Sequence, residues 1–226
     1  MRPLIIMNGE KINWFHTVIR MLMYLAGVAV LALGMSLQTA SGLGVAALTC
    51  FATTLSMLTG KTLGFWITAT YVAYIVAQFT ILRREFQPRI LLELCFSTLI
   101  GGFTDFFMAV NPLHHAALPI QVETMLLSLA VTAFGVSLVV NMGVVPNAPD
   151  GLVQVIAEKI KRRFGDVKVV FDCSHVAVSL VLSLALMHNL GGFGVTTAIS
   201  ALFLGHVINI ANKLFAQRFV RAAFGK

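Results

Sequence analysis

Six stretches of the chain are apolar almost without interruption, at about 17–39, 63–82, 90–110, 122–140, 167–187 and 193–212. Each approaches the roughly 20 residues that an α-helix needs to cross the hydrocarbon of a bilayer. The pattern predicts an all-α integral membrane protein of six transmembrane helices, forming a single domain over residues 1–226. Composition strengthens this reading. The 226 residues are 58% hydrophobic and 11% charged, with a mean hydropathy of +0.89, whereas soluble domains carry about a quarter charged residues.

Net charge is +7, and its placement matters more than its sum. With the N-terminus in the cytoplasm, fifteen of the sixteen Lys and Arg residues fall on the inner side, and only Lys61 falls outside. Basic residues beside apolar spans set topology, so both termini are expected to be cytoplasmic. The charge is therefore no sign of nucleic acid. A competing reading takes the first span, with LQTASG after it, as a cleaved signal peptide.

An internal repeat argues against cleavage. Gly34-Met35-Ser36-Leu37 followed by Gly42 matches Gly135-Val136-Ser137-Leu138 followed by Gly143, at an offset of 101. Ser97, Gly101 and Asp105 match Ala201, Gly205 and Asn209 at an offset of 104. Repeat one covers about 12–110 and repeat two about 120–215, with three spans in each. An odd number of spans inverts the second repeat relative to the first. Inverted repeats are a common construction of secondary transporters, with the substrate held where the repeats meet. The competing reading is a duplication that yields only a stable bundle.

The segment NMGVVPNAPDGL, residues 141–152, interrupts the apolar pattern, and SGLGVAALT occupies the equivalent place in repeat one. Gly143, Pro146 and Pro149 do not continue a regular helix, whereas Asp150 and Gly151 suit the start of a new one. That helix, about 151–163, carries its charge at its far end. It and its counterpart, about Val45 to Leu58, read as half-helices that begin inside the protein. A surface helix on the cytoplasmic face is the alternative for 151–163. Broken backbone at membrane depth is tolerated where protein buries it or where it lines a watery cavity. Asn147 and Asp150 are thus candidate pathway residues.

Polar residues within the spans supply the other candidates, because ionisable groups in hydrocarbon usually face the bundle interior. Asp172, His175, Ser179 and Ser183 share one helical face. Asp172 and His175 are spaced to interact and to relay a proton or hold a cationic group. Thr68, Tyr71, Tyr74 and Gln78 form a similar stripe in the second span. Asp105, His206 and Asn209 lie deep in the third and sixth spans, and Asp105 and Asn209 are expected to pair at a pseudo-twofold axis. Glu93, near a span end, is expected to be solvated, and Asp172 near the inner interface carries the same alternative. His114-His115 reads as plain loop. The three cysteines, Cys50, Cys95 and Cys173, have no metal-like spacing, so no metal, cofactor or disulfide framework is expected. No protease, nucleophile-elbow or phosphate-loop motif is present, and no enzyme is expected.

With the repeats in view, the chain resembles the YitT/YczE-like family of bacterial integral membrane proteins. The resemblance is carried by GLGVAAL, by PNAPDGLVQVIAEKIKRRFG and by GGFGVTTAISALFLGHVIN, and it covers about 25–213. It implies a protein of the bacterial cytoplasmic membrane, with transport as the usual assignment. The leading expectation is a secondary transporter or exporter of a small polar organic solute, proton- or ion-coupled and working by alternating access. The alternatives are a substrate-binding membrane subunit of an energy-coupled importer and a non-transporting accessory or regulatory protein. Lipid and a small-molecule or ion substrate are the expected partners, and a homodimer is compatible with the pattern.

Overall fold

The computed structural model describes residues 14–83, 88–110, 117–145, 147–188 and 192–224. The described residues are almost entirely helical: α1 Trp14–Ser41, α2 Ala47–Thr59, α3 Leu63–Leu82, α4 Leu92–Val110, α5 Leu118–Met142, α6 Ala148–Lys159, α7 Phe164–Leu182 and α8 Val195–Phe224. A π-helical turn, Ser183–Met187, prolongs α7. Six of these helices are long and apolar enough to cross a bilayer, and α2 is a shorter apolar helix. The protein is an all-α, multi-pass membrane protein.

α1 and α5 form the spine and run antiparallel, because Gly27 faces Val139, Leu31 faces Gly135 and Gly34 faces Thr132. A β-carbon on Gly34 would lie 2.8 Å from the Thr132 amide nitrogen, and one on Gly135 would lie 2.6 Å from that of Leu31. Where lipid removes the hydrophobic drive between helices, such close approach supplies the van der Waals contact that holds them. The repeat offset carries the first of these contacts onto the second, since Gly34 maps to Gly135 and Leu31 to Thr132. Other neighbours follow the same exchange: α1 packs on α4 and α5 on α8, α2 on α3 and α6 on α7, α2 on α7 and α6 on α3. The core threads α1, α3, α4 and α5 through Val28, Ile67, Ile100 and Met142.

The backbone breaks in both halves. Gly42 and Gly44 adopt φ of 70° and 103° after α1, and Gly143 adopts 56° after α5. The broken backbone finds protein partners. Val45 N–H donates to Gly192 O (3.1 Å) and Thr196 N–H to Leu43 O (2.9 Å). Ala46 N–H donates to the buried Gln38 side chain (3.0 Å). In the second break, Arg20 donates to Met142 O at 2.6 Å and to Gly143 O at 2.7 Å.

The helix expected from 151 begins earlier, at Ala148, and ends at Lys159. Pro149 lies in its first turn rather than before it, where a missing N–H costs nothing and a fixed φ helps. Pro146 and His114-His115 lie outside the described residues.

Candidate functional site

The most unusual helix is α7. Its residues 168, 172, 175, 179 and 183 are polar and fall on one face, which spans about 22 Å at 1.5 Å per residue. Within Phe164–Leu182 only Ser179 is fully buried, while Val169, Val170, Val178 and Val181 are exposed. The helix therefore turns its polar stripe toward the protein and its apolar surface outward, the usual disposition of polar groups in a membrane helix.

At the N-terminal end of that stripe, Lys168 is held by two carboxylates. Its Nζ lies 2.9 Å from Asp150 Oδ1 on α6 and 3.1 Å from Asp172 Oδ1 one turn along α7. Asp150 reaches this position because α6 starts at Ala148 and places it in the first turn. A carboxylate there also complements the helix dipole. The three side chains are only partly covered, at 22% exposed for Lys168, 40% for Asp150 and 29% for Asp172.

The next turn of α7 brings in α3. His175 Nδ1 lies 2.8 Å from the Phe171 carbonyl, and a carbonyl only accepts, so Nδ1 carries a proton. His175 Nε2 lies 2.6 Å from the Tyr74 hydroxyl, which donates to it when the ring is neutral. Phe171 and Phe51 flank the same imidazole, with centroids at 4.3 and 6.2 Å. Tyr71 stacks on Phe96 and faces the Asn147 side chain at the start of α6. Further along α7, Ser179 meets Cys50, and Ser183 meets Thr54 at 3.3 Å. These contacts advance together along both helices, so α2 runs parallel to α7 and starts near its middle.

Gln78 is buried rather than part of an open stripe. It donates to Glu93 Oε2 (2.7 Å), and both side chains are 1% exposed. This overturns the expectation that Glu93 is solvated. α6 covers it, and Gly151 sits so close that a β-carbon there would lie 2.8 Å from Glu93 Oε1.

The structure does not bring Asp105 and Asn209 together. Asp105 accepts from Gly64 N–H at 2.7 Å and so caps the first turn of α3. With Gly64, Thr68 and Gly101 it lines an open groove of about 420 Å³ on the α3–α4 seam. His206 and Asn209 are exposed on α8, with His206 Nδ1 near the Leu202 carbonyl of its own helix. The cluster thus unites Tyr71, Tyr74, Asn147, Asp150, Asp172 and His175, leaves Gln78 in its buried contact with Glu93 beside it, and excludes Asp105, His206 and Asn209. Sequence reading missed Lys168 and Glu93. Lys168 stands four residues before Asp172, the spacing of a helical ion pair. Among the described residues, no three His, Cys, Asp or Glu side chains converge as a metal set.

One protein-family model, described as a family of unknown function (DUF6198), matches residues 18–213. No curated protein matches, and no solved structure matches.

Proposed function

The chain belongs to that family of unknown function, and from its site we propose that it is a secondary transporter of a small polar organic solute. The single observation that carries this reading is the polar face of α7, turned away from the apolar surface and continued by side chains of α6, α3 and α2. A structural bundle has no need of an ion-paired lysine, a histidine–tyrosine hydrogen bond and a serine ladder along one inward face. Such groups are costly in hydrocarbon and mark pathways. Their contacts with two interrupted segments support a site that rearranges, since α6 touches the inner end of the stripe and α2 its outer end.

In this reading the two halves insert in opposite senses. Loosening the α3–α6 contact while α2–α7 holds, and the reverse, opens the stripe alternately to each side. The neighbour relations that swap under the repeat offset support that cycle. The Lys168 cluster binds solute or the coupling ion, and His175 with Tyr74 passes a proton at Nε2. The expected setting is the bacterial cytoplasmic membrane with both termini inside, in keeping with the basic residues around 159–163 and the resemblance to YitT/YczE-like proteins.

Flux into proteoliposomes, screened across small polar solutes, tests the proposal. Asp172→Asn and His175→Ala should each reduce flux of a positive solute at least about tenfold, a barrier increase of about 1.4 kcal/mol. Asp105→Asn, outside the cluster, should leave most of it. Folded protein that moves no solute across a broad panel would support the accessory reading instead.

A further inference from the structure

Asp150 and Asp172 already hold a ligand, and that ligand is the protein's own primary ammonium group. Lys168 Nζ rests between carboxylate oxygens at 2.9 and 3.1 Å, with the face of Phe171 6.0 Å away. Tyr74 meets Phe171 edge-on at 5.5 Å and His175 at 5.5 Å, which closes the aromatic side of the seat. Two carboxylates and a ring face around one cation form a recognition pattern for ammonium groups.

We infer that this seat takes a primary ammonium group of the solute, and that Lys168 fills it when no solute is bound. The inference rests on the transport reading and gives its solute a chemical class, an organic amine cation. Charge supports the class. Two carboxylates against one ammonium leave the seat negative, so an anion is repelled and a second cation is drawn in. Among the described residues, the other polar groups around the pair include His175, facing Asp172 from α7, the Tyr74 hydroxyl from α3, and Tyr71 with Asn147 on the Asp150 side. None of these provides a compensating fixed cation while the ring is neutral. The three side chains are 22–40% exposed, but the Lys168 Nζ and Asp172 Oδ1 atoms are enclosed, so solute fills the seat only when the lysine stem swings out. Lysine suits the part of a removable occupant, since a compact charge on a flexible four-carbon stem leaves its seat without moving the backbone. Displacement by solute also releases α6 from α7, because Lys168 is what ties Asp150 to Asp172.

Chemical rescue separates this proposal from a merely structural ion pair. Purified full-length Lys168→Ala protein is melted in detergent at constant ionic strength with n-butylammonium, tetramethylammonium or acetate. The variant should melt several degrees below the unaltered protein. Millimolar n-butylammonium should restore much of that loss, and tetramethylammonium and acetate should not. Adding Asp172→Asn should abolish the response. An equal response to all three salts, or none, overturns the seat. Should Lys168→Ala fail to fold, radiolabelled n-butylammonium on unaltered and Lys168→Gln protein decides. Saturable binding, about tenfold tighter in Lys168→Gln and lost in Asp172→Asn, is expected, and its absence from both proteins overturns the proposal. Rescue without flux of any amine in proteoliposomes would leave the seat standing and remove transport. Flux of another solute class with no amine effect would do the reverse.

Discussion

At the scale of single residues, the Gln78–Glu93–Gly151 contact is the tightest constraint on the site. A buried carboxylate that accepts from the Gln78 amide loses much when that donor goes, about 1–3 kcal/mol for an orphaned polar group. Gln78→Leu should therefore lower thermal stability. Gly151→Ala should do the same by driving a methyl group into Glu93 and Gln78. Because both act on one cluster, the double variant should cost clearly less than the two single losses added; strict additivity in thermal melts would show that the cluster is not a unit. The spacing of Asp172, His175, Ser179 and Ser183 was legible in the sequence, since a shared helical face needs only periodicity. The burial of Glu93 was not. It depends on where α6 docks, and no local pattern in α4 carries that information. Lys168 was missed as a site residue for a different reason, because it was counted only under the topology rule.

At the scale of elements, the two breaks show how helix ends survive inside a membrane protein. Arg20 supplies the donors that the carbonyls at the end of α5 lack. Arg20→Met should cost about 1.5–3 kcal/mol, the worth of hydrogen bonds to a charged group, read as a lowered melting temperature. At Gly143 the nearest atom to an added β-carbon is 3.7 Å away, so space is no obstacle. Gly143→Ala should cost only the backbone's left-handed conformation, about 1–2 kcal/mol. The glycines and prolines revealed where the chain breaks, because their backbone demands are local. Element boundaries were less legible: α6 takes Pro149 into its first turn, and α8 runs to Phe224 rather than 212. The extension of α8 rests on tertiary partners, with Ser137 and Asn141 donating to Asn212 and Phe134 meeting Phe215 and Phe219.

At the scale of the whole molecule, six apolar lengths were enough to read the multi-pass architecture, because bilayer thickness acts on any chain. Opposite insertion of the two halves is open to direct measurement. In a background without native cysteines, Lys61→Cys should react with an impermeant thiol reagent from outside intact cells. Arg162→Cys should react only after the membrane is opened. Labelling of both from one side would remove the inverted arrangement and alternating access with it. The polar stripe itself was half visible, since its α7 members could be placed in register but not the side chains of α6 and α2 that complete it.

The glycine-lined spine of α1 and α5 has a consequence for biogenesis. Contacts as close as those at Gly34 and Gly135 join the two triplets of spans without help from the connecting peptide. Two separately translated fragments, 1–116 and 117–226, should therefore find each other in the membrane and copurify. Bulky side chains at Gly34 and Gly135 together should abolish that reunion even though each fragment still inserts.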